Sequence, residues 1–330
     1  MKKKIIISII LLLLLLSILL SLLIGFDEYS FIDIFNIIFN HTYENNHIFK
    51  IIKYIRIPKI IMICITGGGL ATSGCVLQAI LHNPLADPFT LGISGGAAFG
   101  AMISLLLNLS SKLGFITMPL CAFVGAMISM LIVYILSFRK HFNPHTMILS
   151  GIIVSSVCMS IVMLVFILSP IDSIYMTFTW LLGNFSILDE RLVIFTTTIV
   201  TLCILLILLL SNILNIIYLG NDKVTTLGLN INKYITIFFL LTSLITATIV
   251  SISGIIGFVG LIIPNICKSI VGDNNVVVIP FSAYTGALLL LLCDSLSNFL
   301  FRPIVLPIGI ITNILGSLFF IFLLLQKKNK

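Results

Sequence analysis

Between Leu192 and Ser211, and again between Tyr234 and Val250, the chain runs the length of a helix without one charged residue and without a polar face. A helix that is apolar all round is at home only in a very large core or in lipid. The rest of the chain decides between these. Of its 330 residues 59% are hydrophobic and 9% are charged, against about 25% charged in a soluble domain. A soluble protein with an oversized core would still need polar outer faces, and these runs offer none. The fold class is therefore all-α, a polytopic membrane protein. Hydrocarbon leaves a backbone no water to bond, so each span must close its own hydrogen bonds.

Polar breaks divide the chain into about ten spans, at 5–24, 56–80, 91–108, 116–138, 146–168, 192–211, 234–250, 255–271, 276–298 and 304–325. The first follows Met1–Lys4 and is too long for the apolar core of a signal peptide, so it reads as a membrane helix. An even number of spans puts both termini on one side. With the termini inside, eleven of the eighteen basic residues fall on the inner side and seven on the outer. That bias predicts cytoplasmic termini in a multi-pass protein of the cytoplasmic membrane. The outer cluster Lys50, Lys53, Arg56 and Lys59 runs against the bias and calls for a separate role.

The break at Asn83-Pro-Leu-Ala-Asp-Pro88 carries two prolines, which forbid a regular helix interior, and a charge in a chain with few. It is expected to be a stiff turn on the cytoplasmic side. Asn83 and Asp87 suit it, because their side chains bond nearby backbone N–H groups. The loop 139–146, with Asn143-Pro144, faces the same side, and His141 and His145 there read as solvated loop residues. The seven cysteines lie within or beside apolar runs without metal-ligand spacing, and read as small buried hydrophobes. Neither a metal nor a cofactor is expected. No GxxxxGK[ST] loop is present, so the chain itself is not expected to hydrolyse ATP. The basic residues sit at span ends, which points to the lipid bilayer and not to nucleic acid. Small residues at Gly67-Gly68-Gly69, Ser94–Ala98 and Gly254, Gly257 and Gly260 predict closely packed helix faces.

Four blocks, in order, resemble the FecCD family of permeases. The first runs through Arg56-Ile-Pro-Lys59, Gly69–Gly74, Gln78, Asn83–Pro88 and Leu91–Gly96. Next come Leu219–Gly228, then Gly254–Pro264, and finally Leu306-Pro-Ile-Gly309 with Gly316 and Phe319-Phe320. Trp180–Gly183 also matches a family pattern. The resemblance covers roughly 56–325. It implies the type II permease fold of ABC importers, a single transmembrane domain over 1–330, and a dimeric permease with its translocation path at the subunit interface. It implies as partners two cytoplasmic ATPase subunits, an extracytoplasmic substrate-binding protein and a second permease subunit. The implied cargo is an iron–siderophore complex, with haem or cobalamin as the alternative. A proton- or sodium-coupled secondary transporter is the competing class. Against it, Asp294 lies near the outer end of its span, with no Glu, His or Lys expected deep in a neighbouring span.

The resemblance also assigns sites. Arg56 and Lys59, one helical turn apart, are the expected docking residues for the binding protein, steering encounter more than supplying affinity. Plain interfacial anchoring is the competing reading. The family's second docking cation is replaced here by Asn298, and Arg302, a turn further on, is the candidate substitute. Gly220, Asn221, Asp222, Lys223, Val224, Thr225, Thr226, Leu227 and Gly228 form the expected ATPase-coupling helix, within a cytoplasmic segment of about 212–232. Asn83, Pro84, Leu85 and Asp87, with Asn143 and Pro144, are the expected cytoplasmic gate. Asn265 and Lys268 stand where the family commonly has His and Arg. Trp180 is expected in the outer connector 169–191, anchored at the interface.

Overall fold

A computed structural model of the chain describes residues 2–23, 47–107, 109, 114, 116–140, 142–169, 171–185, 189–218, 230–300 and 306–326. Among these every regular element is a helix. In chain order they are α1 (Lys2–Leu23), α2 (His47–Ile51), α3 (Ile57–Ile80), α4 (Ile93–Leu106), α5 (Thr117–Phe138), α6 (Pro144–Leu168) and α7 (Ile171–Leu181). They continue with α8 (Glu190–Leu209), α9 (Ser211–Tyr218), α10 (Ile231–Ser253), α11 (Val259–Val271), α12 (Asn275–Leu300) and α13 (Ile308–Gln326).

Among the described residues six helical stretches are long and apolar enough to cross a membrane: Phe49–Ile80, Thr117–Phe138, Pro144–Leu168, Glu190–Leu209, Ile231–Ser253 and Asn275–Phe299. Four shorter apolar helices accompany them: Leu12–Ser21 within α1, Ile93–Leu106, Val259–Val271 and Ile308–Ile321. Each of the ten expected spans meets one of these helices. Three limits differ. A π-helical turn, Ile52–Arg56, joins α2 to α3 and carries the second span back to Phe49. The connector after α6 holds a helix, α7, that the apolar pattern did not announce. The eighth span begins late, because Gly254 and Phe258 take positive φ and the chain turns before α11 can start.

Local chemistry explains several starts. Asn143 caps α6 by accepting the His145 N–H at 3.0 Å, and Pro144 takes the first helical position, where no N–H is needed. Asp189 caps α8 through the Arg191 N–H at 2.8 Å. Asn230 does the same for α10.

The central helix is α3. Of its most apolar window 83% is buried, against 17% for α6, whose outward side shows Leu149, Ile153, Val157 and Leu164. Bare backbone lets α3 sit there. A Cβ on Gly67 would stand 2.3 Å from the Gly286 carbonyl oxygen of α12, and one on Gly74 1.8 Å from that of Gly260 in α11. Neither contact tolerates a side chain, so two helices press directly on the α3 backbone. The α4–α5 pair closes in the same way at Gly96, Gly100 and Gly125.

Candidate functional site

Polar groups gather at the two ends of this bundle. At one end, α3 stops at Leu81 and His82 takes φ 47°. Asn83 then folds the chain: its Oδ1 accepts the Leu85 N–H at 2.9 Å and its carbonyl accepts the Ala86 N–H at 3.1 Å. Asp87 is extended and opens a 3-10 turn, Pro88–Leu91, with its carbonyl accepting both the N–H and the hydroxyl of Thr90. Pro84 and Leu85 are exposed, while Asp87 is buried. Its Oδ1 has no hydrogen-bond partner among the described residues and faces the backbone of Gly260. Burial pushes the Asp87 carboxyl up to about 7, partly opposed by a hydrogen bond from the Phe89 N–H.

Helix α11 grips this turn. Asn265 Nδ2 donates to the Pro84 carbonyl at 2.9 Å and to the Leu261 carbonyl at 2.8 Å. Gln78 Nε2 donates to the Leu261 carbonyl at 3.2 Å, and Lys268 Nζ donates to Gln78 Oε1 at 3.1 Å. The sequence marked Asn265 and Lys268 only as departures from a pattern; nothing in it announces Pro84 or Gln78 as partners 181 and 190 residues away. The second expected gate element lies at the same end, since Gly151 in the second turn of α6 packs on Thr90 and Leu91. Beside Asn143, Phe142 is buried at φ 53°, with its ring 5.7 Å from Tyr134 and 5.8 Å from Phe138. Asn143 and Pro144 thus stand on a packed corner.

The other end is organised by one ion pair. Lys59 Nζ lies 2.8 Å from Asp294 Oδ1, with the two side chains 22% and 3% exposed. Asn298 donates to the second carboxylate oxygen at 3.1 Å and to the Asp294 carbonyl at 2.8 Å. The partner, Lys59, stands at the end of its span and not deep within it. The Gly67–Gly286 contact draws α3 against α12, so their ends meet across 235 residues of sequence, and no local pattern reports such a pairing. Arg56, at the close of the π-helical turn, is buried. Lys50 and Lys53 are exposed, and the Lys53 ammonium lies 5.3 Å from the Phe49 ring centre and 5.5 Å from that of Tyr54. Arg302, His141 and Gly220–Gly228 lie outside the described residues.

Three further blocks meet in one junction of irregular backbone. The Asn184 N–H donates to the Ser253 carbonyl at 2.9 Å; Ile308 and Gly309 donate to Gly183 and Leu182, each at 3.1 Å. Ser297 bonds the Leu306 carbonyl. A Cβ on Gly254 would fall 2.0 Å from the Trp180 carbonyl oxygen. Non-helical backbone within an apolar bundle must find such partners. Trp180–Gly183, Gly254–Pro264 and Leu306–Gly309 are thus parts of one joint, where Trp180 is half-buried against the edge of the core.

The FecCD transport family profile matches residues 13–326. The chain belongs to the FecCD transport family. Its fold agrees. An inward-facing metal-chelate-type ABC transporter of known structure superposes with a TM-score of 0.87 at 28% identity, covering 98% of this chain and 99% of that one. Among relatives, the hemin transport system permease HmuU of Yersinia pestis is 31% identical over 293 residues, 88% of this chain and 87% of the relative. The Fe(3+) dicitrate transport system permease FecD of Escherichia coli is 31% identical over 284 residues, 86% and 87% of the two chains. This chain is therefore a membrane-spanning permease of the ABC importer class.

Two outcomes follow from the ends of the permease. Removing one member of a buried ion pair strands the other, at a cost of about 3–5 kcal/mol. Lys59→Met is expected to lower the thermal midpoint of the purified protein more than Asp294→Asn does. The double variant Lys59→Met/Asp294→Leu recovers most of the loss; equal effects without recovery would contradict a stabilising pair. Asp87 binds its proton more tightly in the folded protein than in the unfolded chain, where its value is near 3.8. Stability therefore falls as pH rises from about 4 through about 7. The midpoint is expected to be higher at pH 5.5 than at pH 8, and Asp87→Asn removes that difference.

Proposed function

We propose that the chain is the permease subunit of an ATP-driven importer that carries an iron–siderophore complex across the cytoplasmic membrane. The observation that most supports this is its likeness, over nearly the full length of both chains, to a transporter described as of metal-chelate type. The Fe(3+) dicitrate permease among its relatives points the same way. A haem cargo, as in the hemin permease, or cobalamin is the alternative within the same architecture. The permease performs no covalent chemistry. ATP binding and hydrolysis in two separate cytoplasmic subunits shift it between outward- and inward-facing states, and a second permease copy, identical or paralogous, completes the path.

In this reading the termini and the Asn83–Pro88 turn face the cytoplasm, and the Lys59 end faces outward. Asn83, Pro84, Leu85, Asp87, Asn143 and Pro144 border the inner mouth, and Gly220–Gly228 dock on the ATPase. The binding protein docks at the opposite end. The helical stretch Phe49–Ile80 has 32 residues. At about 1.5 Å per residue it is about 48 Å long, against about 30 Å of hydrocarbon. Its first turns therefore stand in water, where Lys50 and Lys53 lend a positive field to the docking site of Arg56, Lys59 and Arg302. Lys59 acts there from a position fixed by Asp294.

Uptake by a strain lacking the gene, with and without a plasmid copy, tests the cargo. Labelled iron–siderophore uptake is expected to be lost and restored with the gene, while haem and cobalamin uptake stay unchanged. Loss of cobalamin or haem uptake with intact siderophore uptake would overturn the cargo. Uptake abolished by a protonophore but insensitive to depletion of ATP would overturn the transporter class.

A further inference from the structure

Just below Lys50 and Lys53 the helical stretch Phe49–Ile80 turns apolar residues outward. Ile52 and Arg56 are buried, while Tyr54, Ile55, Ile57 and Ile61 are exposed, the first two by more than half. Water disfavours such a strip and the edge of a bilayer favours it. Ile57, Ile61 and Cys64 follow one another at helical spacing and form one wall of an apolar groove of about 370 Å³. Ile18 of α1 and Thr197 of α8 belong to the other walls. The Thr197 hydroxyl is buried, so the groove offers almost no polar surface. Its volume falls in the range of small-ligand sites, about 300–1,000 Å³.

The head of this groove is basic. Lys53 stands one turn above Ile57 and Lys50 one turn above Lys53, and both are exposed. The Phe49 and Tyr54 rings flank the Lys53 ammonium. Among the described residues neither lysine meets a carboxylate. From Ile57 to Lys53 is about 6 Å of helix, and the wet headgroup layer is about 5–8 Å deep on each side of the hydrocarbon. With Ile57 at the hydrocarbon edge, Lys53 therefore stands at the level of lipid phosphates, and Tyr54 takes its place in the interfacial aromatic belt.

Charge and shape together name one occupant. A groove of this kind inside a membrane takes an acyl chain, and two ammonium groups above it take a phosphate. A zwitterionic lipid brings that phosphate with a cation beside it, which two lysines disfavour. We propose that the groove, with Lys50 and Lys53, is a binding site for one anionic phospholipid in the leaflet at the Lys59 end. Its acyl chain lies along Ile57, Ile61 and Cys64, and its phosphate sits on the lysines. The bound lipid holds α1 and α8 against the outer turns of α3, whichever cargo the permease carries.

The test is native mass spectrometry of the full-length permease, delipidated in detergent and titrated with phosphatidylglycerol or with phosphatidylcholine of the same acyl chains. The native chain is expected to hold its first phosphatidylglycerol about tenfold more tightly than its first phosphatidylcholine. Lys50→Gln/Lys53→Gln removes that preference and leaves phosphatidylcholine within about twofold. Ile61→Trp fills the groove and weakens both lipids. Both lysines and Ile61 are exposed, so the thermal midpoint without lipid is expected to stay unchanged in all variants. Ile61→Phe, a smaller step, serves if the tryptophan variant does not purify. An equal hold on the two lipids in the native chain would overturn the site, and so would a preference that survives the lysine changes. Lipid retention unaltered by filling the groove would overturn it too; if a dimer then falls to monomers, the groove belongs to a second copy of the chain.

Discussion

The contact of bare backbone at Gly74 and Gly260, with its counterpart at Gly67 and Gly286, is the constraint on which the remaining structure depends. Lipid offers helices little hydrophobic reason to associate, so they hold together by close packing and by polar ties. These glycines let α11 and α12 press onto α3 with no side chain between them. Everything polar is then placed by that geometry. The Lys59–Asp294 pair closes where α3 and α12 meet at one end. The bonds of Asn265 to the turn and of Lys268 to Gln78 close where α3 and α11 meet at the other. One buried helix thus carries both polar ends of the permease.

The two ends are built differently. At the Lys59 end a nearly buried carboxylate is satisfied by one cation and one amide, a closed arrangement that fixes the spacing of two helices. The turn end is open-ended: Asp87 keeps an oxygen without a partner among the described residues, against Gly260, and α11 holds the turn through one hydrogen bond from Asn265 and holds α3 beside it through Lys268 on Gln78. Few, individually modest bonds suit an element with two arrangements better than a single buried ion pair does. The asymmetry suits the proposal that the Lys59 end docks a partner and the turn end opens and closes.

Much of this was legible in the sequence because lipid imposes a simple rule. Each apolar run must be a helix, so ten spans could be counted from Ile5 onward, and the small residues at Gly67–Gly69 and Gly254–Gly260 could be read as packing faces. The prolines at 84 and 88 likewise announced a turn. What stayed hidden was pairing at a distance. The pairing of Asp294 with Lys59 joins two spans far apart in sequence and leaves no local pattern. Asn265 looked like a lost histidine because its acceptor, the Pro84 carbonyl, leaves no mark in sequence. Trp180–Gly183, Gly254–Pro264 and Leu306–Gly309 could be recognised as blocks, but only folding shows them as one joint. Helix α7 was missed because it is short and lies inside a stretch read as a connector.

The central claim is that α3 joins two ends doing different work on opposite faces of the membrane. It is tested most directly by labelling single cysteines in intact spheroplasts with a membrane-impermeant maleimide. Lys53→Cys is predicted to react from outside, and Leu85→Cys to react only after the membrane is permeabilised. Reaction of Leu85→Cys in sealed spheroplasts, with Lys53→Cys protected, would invert the orientation and contradict the assignment of docking and gating to these ends.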